Sequence, residues 1–237
     1  MGRVLARKLA AAGHNVKVAN SRGPDSISPD VLETGARAAT AQDALDGVDV
    51  AILTLPHSGF DKIKELVALL PEQTVVIDIS NYVPIRDGIN SEIEAGKIES
   101  VWVQEYFGRP VAKAWNAILM SSLENKGRPK GQPDRIAVPI AGDRQHDREV
   151  AIALMDDTGF DGFDAGTLAE SWRLQPASPA YITELTSEEM GPALASAERE
   201  RLPKRRDLAM AVFAERFAAG AQPDADEAVR IARALYM

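Results

Sequence analysis

The sequence lacks several residue types and patterns that would point to particular kinds of chemistry. It contains no cysteine, which excludes disulfides, thiolate metal sites and a cysteine nucleophile. It has only 3 histidines and no metal-ligand spacing, so we expect no bound metal. No apolar run approaches the roughly 18–20 residues of a membrane span, and no cleavable leader pattern is found. These absences predict a cytoplasmic protein.

The sequence also has fewer positively charged than negatively charged residues. The 237 residues include 27 lysines and arginines against 35 acidic residues, giving a net charge of −8. Such a surface repels polyanions, so nucleic acids and anionic membranes are excluded as main partners and small ligands are favoured. The hydrophobic fraction of 45% and the charged fraction of 26% are typical of a folded globular protein.

Helical and strand patterns alternate along the chain. Residues 3–12 place apolar side chains at helical spacing and are followed by Gly13, a helix stop. The strand-like segments are NVKVAN, VDVAILTLP, TVVIDISN, VAKAWN and RIAVPIAGD. Amphipathic helices are predicted between several of these, including residues 61–70, and a helix end plus turn over VLETGARAA. This alternation predicts a doubly wound α/β fold with ligands beyond the carboxyl ends of the strands.

The second part of the chain begins after a polar stretch, ENKGRPKGQPD, which we interpret as an exposed loop near a domain junction. A strand, a helix and a strand-like return, FDGFDAGTL, follow. From about Thr186 the pattern is helical, with amphipathic segments LAMAVFAERFAAG and DEAVRIARALYM that we expect to form a helical cap.

The first residues resemble the end of a dinucleotide-binding turn. In the motif G-x-G-x-x-G the glycines let backbone amides approach a pyrophosphate at a helix N-terminus. Gly2 fits the third glycine, and Gly2 and Arg3 are predicted to contact the cofactor. By this alignment the first strand and the first two glycines are missing. Because that strand is normally central, its loss predicts a gap in the sheet with unpaired strand edges on either side.

We hypothesise that the start codon was assigned too late, within the glycine turn, or that the chain was shortened there. Mass spectrometry of the protein isolated from its own organism tests this hypothesis. We expect a native N-terminus upstream of Met1, and a native N-terminus at Met1 would contradict the hypothesis.

The end of the second predicted strand indicates which dinucleotide is bound. Enzymes specific for NAD carry an acid there, which accepts a hydrogen bond from the adenosine ribose. Here the residues are Asn20, Ser21 and Arg22. A hydroxyl and a guanidinium suit the 2′-phosphate of NADP through charge-assisted hydrogen bonds. These three residues are therefore predicted to bind NADP(H).

Two further strand ends are predicted to line the cofactor cleft. Leu55, Pro56 and His57 end the strand VDVAILTLP, and Ser80 and Asn81 follow the next strand. Asp78 is expected to cap a turn rather than bind a ligand. His57 could act as a general acid, but a loop histidine without a catalytic partner in the sequence is more often incidental. No catalytic residue is assigned.

The segments MGRVLARKLAAAGHNVKVANSRGP, VAILTLP, VVIDISN, VAKAWN, RIAVPIAGD and GFDAGTLAESWRLQP together resemble the NADP-binding oxidoreductases related to the NADPH-dependent reductase of the deazaflavin coenzyme F-420. The resemblance covers about residues 2–183. It implies a Rossmann-type NADP-binding domain, here residues 1–133 without its first strand, and a smaller C-terminal substrate and dimerisation domain, residues 134–237. It also implies a homodimer.

In such reductases a hydride passes directly between nicotinamide and deazaflavin, so the resemblance requires no acid–base side chain. Asn116, Ala141, Gly142 and Asp143 are predicted to line the nicotinamide and substrate pocket.

Two alternatives stay open. A hydroxyacid dehydrogenase shares the Rossmann half but needs a lysine or histidine base, for which Lys113 is the only nearby lysine. A non-catalytic module could instead bind NADP and signal through its C-terminal helices.

Overall fold

Helices and strands alternate in the structure, as the sequence predicts. The computed structural model describes residues 1–218 and 224–237. The strands are β1 (Lys17–Val18), β2 (Arg37–Ala38), β3 (Val50–Leu53), β4 (Val75–Asp78), β5 (Ala112–Lys113), β6 (Ala137–Gly142) and β7 (Asp161–Asp164). The α-helices are α1 (Gly2–Ala11), α2 (Pro29–Leu32), α3 (Ala41–Leu45), α4 (Lys64–Ala68), α5 (Pro84–Asp87), α6 (Ser91–Glu94), α7 (Glu99–Phe107), α8 (Met120–Asn125), α9 (Gln145–Asp157), α10 (Ser187–Ala195), α11 (Leu202–Ala218) and α12 (Ala225–Tyr236). Segments of 3₁₀ helix cover Pro24–Ser26, His57–Lys62, Leu168–Leu174 and Arg199–Arg201.

The larger sheet has the strand order β3-β4-β5-β6-β7. Strands β3, β4 and β5 are parallel, with Asp78 opposite both Leu53 and Lys113. Strand β6 runs antiparallel to β5, with Lys113 opposite Ala141, and β7 is parallel to β6. The Rossmann-type α/β fold is confirmed. The sheet is not parallel throughout, because the chain between β5 and β6 turns back at the carboxyl end of β5 without crossing the sheet.

The sheet is interrupted between β1 and β3. Strands β1 and β2 form a separate parallel pair, with Lys17 opposite Arg37. The Lys17 ammonium donates hydrogen bonds to the backbone carbonyls of Asp43 and Asp46, at 2.7 and 2.5 Å, which ties β1 to the end of α3. In the described part of the chain no ladder joins β1 to β3, the two strands that the sequence predicts to flank a gap.

The central strands are apolar because both faces of the sheet are covered. Val75, Val76 and Ile77 of β4 are each no more than 2% exposed. Fully burying such a side chain contributes roughly 1.5–3 kcal/mol. Alternate residues contribute to two clusters. One face holds Ala51, Leu53 and Val76 with Val67, Val103, Phe107, Met190 and Leu194 from α4, α7 and α10. The other holds Val75, Ile77, Val138 and Ile140 with Val4, Leu5, Leu9, Ala151, Leu154 and Met155 from α1 and α9.

Some predicted boundaries were wrong. The single helix expected over residues 61–70 is divided into a 3₁₀ helix and α4, because Ile63 leaves helical geometry with φ −122° and ψ −3°. The segment VLETGARAA was expected to hold only a helix end and a turn. It also contains β2, whose two residues are too few for a period-2 pattern to be recognised.

The predicted helical C-terminal part is confirmed. Thr186 and Glu189 form a capping box at the start of α10, and Asp224 caps α12 by accepting from the Glu227 amide. The predicted segment LAMAVFAERFAAG extends past α11, and its last residues lie outside the described residues. Among the helices that the structure describes, none combines the length and the hydropathy required to cross a bilayer. The division at residues 133/134, which falls in the connection between α8 and β6, stays a prediction.

Candidate cofactor and substrate site

The N-terminus of α1 lies against the carboxyl end of β3. A Cβ atom built on Gly2 would come within 2.7 Å of the Thr54 hydroxyl oxygen, so only glycine fits this contact without a shift. No side chain of the described residues caps the first turn, and this turn contains no acid. Helix N-termini of this kind attract anions through free amides and the helix dipole. Arg3 follows on the surface, its side chain 56% exposed and 4.0 Å from Glu124.

The loop after β1 is organised by Asn20. The Asn20 side-chain oxygen accepts hydrogen bonds from the Arg22 amide at 2.8 Å and from the Ser26 hydroxyl at 2.9 Å. This arrangement is an Asx turn, in which a side chain replaces a backbone acceptor. Ser21 and Arg22 are both exposed. A fixed loop therefore presents a hydroxyl and a guanidinium to solvent at the carboxyl end of β1.

The carboxyl ends of β3 and β4 meet through His57 and Ser80. Leu55 packs against the core, and Pro56 precedes the 3₁₀ helix that begins at His57. The His57 Nε2 atom and the Ser80 hydroxyl are 3.0 Å apart, at hydrogen-bonding distance. Although the sequence favours an incidental role for His57, the structure buries its side chain to 5% exposure beside a carboxylate.

A buried ion cluster lies at the carboxyl ends of β4 and β5. The Lys113 ammonium, fully buried, donates to Asp78 Oδ2 at 2.7 Å, to the Ser80 carbonyl at 2.6 Å and to Glu99 Oε1 at 2.8 Å. These three bonds use all its donors. The other oxygen of Asp78 accepts from the Ser80 amide at 2.9 Å, so Asp78 caps the turn as predicted. Lys113 fixes the turn between β4 and Asn81 and has no free proton to exchange with a substrate.

The cluster determines the charge of its members. Burial acts to raise the pKa of Asp78, but the Lys113 ammonium and the hydrogen bonds to the carboxylate outweigh burial and hold that pKa below its usual value. Burial acts to lower the pKa of Lys113, but the carboxylates of Asp78 and Glu99 outweigh burial and raise that pKa above its usual value. Burial lowers the pKa of His57, with Glu99 acting in the opposite direction. His57 is therefore neutral at pH 7.

Aromatic rings enclose the imidazole of His57. Its centroid lies 4.9 Å from that of Phe60, 5.2 Å from that of Trp102 and 6.0 Å from that of Tyr82, the last two in stacked orientation. Trp102 is partly buried and packs against the apolar core. These rings keep water from the imidazole, which accounts for the low pKa of His57.

Asn81, Asn116 and Tyr181 form a second polar group at the same edge. The Asn81 amide nitrogen donates to the Asn116 carbonyl at 2.9 Å and lies 3.3 Å from the Tyr181 hydroxyl. In return the Asn116 amide nitrogen donates to the Asn81 side-chain oxygen at 3.2 Å and to the Leu174 carbonyl at 2.8 Å. The structure thus brings together Asn81 and Asn116, two of the predicted site residues.

The structure does not bring Ala141, Gly142 and Asp143 to that edge. Because β6 is antiparallel to β5, its carboxyl end lies beside the start of β5, where Gly142 is opposite Ala112. The Asp143 carboxylate accepts from Gln104 and from the Leu168 amide there. The prediction that these residues share a pocket with Asn116 was wrong, because it requires every strand of the sheet to run in the same direction.

Two surface grooves lie elsewhere. One, of about 380 Å³, lies between Lys8 and the end of α9, and the other, of about 420 Å³, lies beside Glu184. Both are lined in part by Arg128. The buried Arg135 in the first is neutralised by Asp156 and Asp161, each at 2.6 Å. Neither groove is lined by the predicted cofactor residues.

Sequence reasoning missed the roles of Glu99, Lys113 and Tyr181. Lys113 lies within the apolar strand segment VAKAWN, and a charged residue at a buried position requires a partner. That signal predicts the existence of an ion pair. It does not identify Asp78 and Glu99 as the partners, because they are distant in sequence.

Comparison with known proteins agrees with the resemblance inferred from the sequence. Residues 1–82 match the family described as NADP oxidoreductase, coenzyme F420-dependent. The protein YjhV of Escherichia coli strain K12 is 40% identical over 85 residues, which are 34% of this chain and 62% of YjhV. The match thus spans less than two thirds of that relative.

Solved structures extend the likeness beyond residue 82. A hypothetical protein, SMa0349 of Sinorhizobium meliloti, is 28% identical, with a TM-score of 0.60 over 73% of this chain and 83% of that protein. A protein of Arthrobacter sp. FB24, proposed to be an F420-dependent NADP-reductase, is 19% identical, with a TM-score of 0.56 over 71% of this chain and 81% of that protein. This last likeness shows the fold alone. Together with the family match, these findings support the Rossmann-type α/β fold.

The ion cluster can be tested by removing its cation. We expect Lys113→Met to lower the free energy of unfolding by about 3–5 kcal/mol, because it leaves two buried carboxylates without their counter-charge. Urea unfolding followed by circular dichroism measures the change. Lys130→Met is the control, because the Lys130 side chain is 79% exposed in its pair with Asp156 and should contribute little. Equal effects of the two substitutions would contradict the cluster.

If Lys113→Met does not fold, a second variant keeps the test decisive. Lys113→Met combined with Glu99→Gln removes one of the two unpaired carboxylates. We expect this double variant to recover part of the lost stability, and no recovery would also count against the cluster.

The buried His57 predicts a pH dependence of stability. Its pKa in the folded protein is below the ordinary value of 6.5, so the unfolded chain takes up the proton first and stability falls as pH decreases below 6.5. The slope contributed by one such group is at most about 1.4 kcal/mol per pH unit. We expect His57→Gln to flatten thermal stability between pH 6.5 and pH 5.

The control is His146→Gln, at an exposed position. The charged groups that act on His57 are Glu99, Lys113, Asp78 and Asp87, and all remain in both variants. A pH profile unchanged by His57→Gln, or changed equally by the control, would contradict this prediction.

Proposed function

We propose that the protein is an NADP(H)-dependent oxidoreductase that transfers a hydride between the nicotinamide and a deazaflavin or another small acceptor. The observation that carries this proposal is the glycine contact at the start of α1. Gly2 leaves no room for a side chain beside Thr54, and the uncapped first turn offers amides to an anion. The family match over residues 1–82 includes Gly2 and every other predicted cofactor contact.

The residues present fit the phosphorylated dinucleotide. Arg22 and Ser21 lie exposed on a loop that Asn20 holds in place, and a guanidinium beside a hydroxyl complements a 2′-phosphate. The uncapped start of α1 would hold the pyrophosphate. When bound, the nicotinamide supplies the hydride, and the chain's own residues set its position.

The carboxyl edge of β4 and β5 favours an acceptor that needs no proton from a lysine or histidine. Lys113 is buried with all its donors engaged, and His57 is neutral and enclosed by aromatic rings. Direct hydride transfer to a deazaflavin places the least demand on the protein, because the two ring systems carry the chemistry. The same arrangement disfavours a hydroxyacid dehydrogenase, which would need Lys113 as an accessible base. The homodimer that the resemblance implies stays a prediction.

The cofactor assignment is tested by reversing one charge. We expect Arg22→Glu to weaken NADPH binding by about 2–3 kcal/mol, roughly 30- to 150-fold, because the contact to the 2′-phosphate becomes repulsive. NADH binding should change little, because NADH lacks that phosphate. Calorimetric titration of both dinucleotides measures the difference.

The matched control is Arg37→Glu, which makes the same charge change at an exposed arginine of β2. Equal loss of NADH and NADPH binding in Arg22→Glu would contradict the assignment, and so would equal effects of the two variants on NADPH. Assays of NADPH oxidation with deazaflavin, flavin and a panel of carbonyl compounds then test the acceptor. Clear binding without any oxidation would favour the NADP-sensing module.

A further inference from the structure

Helix α11 is anchored to the rest of the chain along one face. Ala209 is buried and Phe213 is partly buried, in an apolar cluster that includes Tyr236 of α12. Arg206 pairs with Glu94 at 3.4 Å. With 3.6 residues per turn, positions 206, 209 and 213 lie on the same side of the helix. The other sides of α11 are exposed.

One exposed side carries a row of side chains that we call the α11 stripe. Its members are Lys204, Leu208, Ala211, Val212 and Glu215, all exposed. Leu208 is 50% exposed and Val212 is 36% exposed. All members but Val212 follow one another at intervals of four, three and four residues, which is the spacing of the seam between two paired helices. This spacing predicts that a second helix packs along the stripe.

The charges at the two ends of the α11 stripe have no counter-charge within the described part of the chain. Every other charged side chain of α11 forms an ion pair: Arg205 with Glu198, Arg206 with Glu94 and Asp207, and Arg216 with Glu227. Among the described residues no ion pair includes Lys204 or Glu215. A lysine in the first turn and a glutamate in the last turn both oppose the helix dipole, so their placement does not stabilise α11 itself.

The charge pattern fits a second copy of the same helix in one orientation. In a parallel pair Lys204 would face the partner's Lys204, and the two like charges would repel. In an antiparallel pair Lys204 faces the partner's Glu215. The same arrangement sets Leu208 against the partner's Ala211, a large residue against a small one, because both pairs are centred between residues 209 and 210. A two-fold axis at this point makes each contact occur twice.

We propose that two copies of this chain associate by antiparallel packing of their α11 stripes, with Lys204 of each copy against Glu215 of the other. The apolar side chains of Leu208 and Val212 leave water on association, which favours the pair. The seam from Lys204 to Glu215 extends about 17 Å, at about 1.5 Å per residue. This is a small interface, so we expect a weak dimer whose population depends on protein concentration.

The location of the interface is tested by placing a charge on the α11 stripe. Sedimentation velocity of the full chain between about 1 and 100 µM measures the monomer–dimer equilibrium. We expect Leu208→Glu to weaken dimerisation roughly 10-fold or more, because the carboxylate loses water without gaining a partner. The matched control is Met210→Glu, at a 41% exposed position on another side of α11, which should dimerise as the original protein does. An original protein that stays monomeric throughout, or equal effects of the two variants, would overturn the proposal.

The antiparallel register is tested by reversing charges. Lys204→Glu and Glu215→Lys each place like charges opposite one another in their own dimers, so we expect each to dimerise roughly 5- to 20-fold more weakly than the original protein. In an equimolar mixture a dimer of one variant with the other restores both opposite-charge pairs, and we expect dimerisation to recover. Circular dichroism checks that both variants fold. If the folded variants stay monomeric in the mixture, or dimerise as the original protein does when alone, the register is refuted.

Discussion

The bonds of the Lys113 ammonium to Asp78, Glu99 and the Ser80 carbonyl are the interaction on which the candidate site depends. They join β4, β5 and the first residue of α7 at one buried point, where charge is tolerated only because it is fully paired. The bond from Lys113 fixes Ser80. Ser80 in turn fixes the position of His57, through the contact of their side chains, and the direction in which the chain leaves β4 toward Asn81. The polar edge above is therefore built on a charged centre that takes no part in chemistry itself.

A separation of roles follows from this arrangement. The buried charges set geometry, while the groups that would meet a ligand in the proposed function are neutral amides and hydroxyls at β4 and β5 and the exposed guanidinium of Arg22 beyond β1. Neutral groups suit a planar ring that must be oriented, and the cation suits a phosphate that must be selected. This distribution agrees with a protein whose cofactor supplies the reactivity.

Much of the fold could be predicted because hydrophobic periodicity is local. The sequence shows a helical period of 3.6 residues or a continuous apolar run over α1, β3, β4 and β6. Both patterns can be recognised without knowledge of tertiary contacts. The direction of β6 could not be predicted, because an apolar strand pattern does not show whether the strand runs parallel or antiparallel to its neighbour. For this reason the predicted position of Ala141–Asp143 was wrong. The backbone around Ile182 could not be predicted either, because Ile182 at positive φ opposes its local preference and is held by a hydrogen bond to the Ala117 carbonyl, which is distant in sequence.

Because β6 runs antiparallel to β5, the 3₁₀ helix Leu168–Leu174 spans the distance between the two ends of these strands. Its first amide is held by Asp143 at one edge of the sheet, and its last carbonyl is held by Asn116 at the other. At about 2.0 Å per residue the helix advances roughly 14 Å, comparable to the span of a short strand, with three residues per turn. The helix acts as a spacer of fixed length and phase. Gaining or losing one residue would rotate everything beyond it by about a third of a turn.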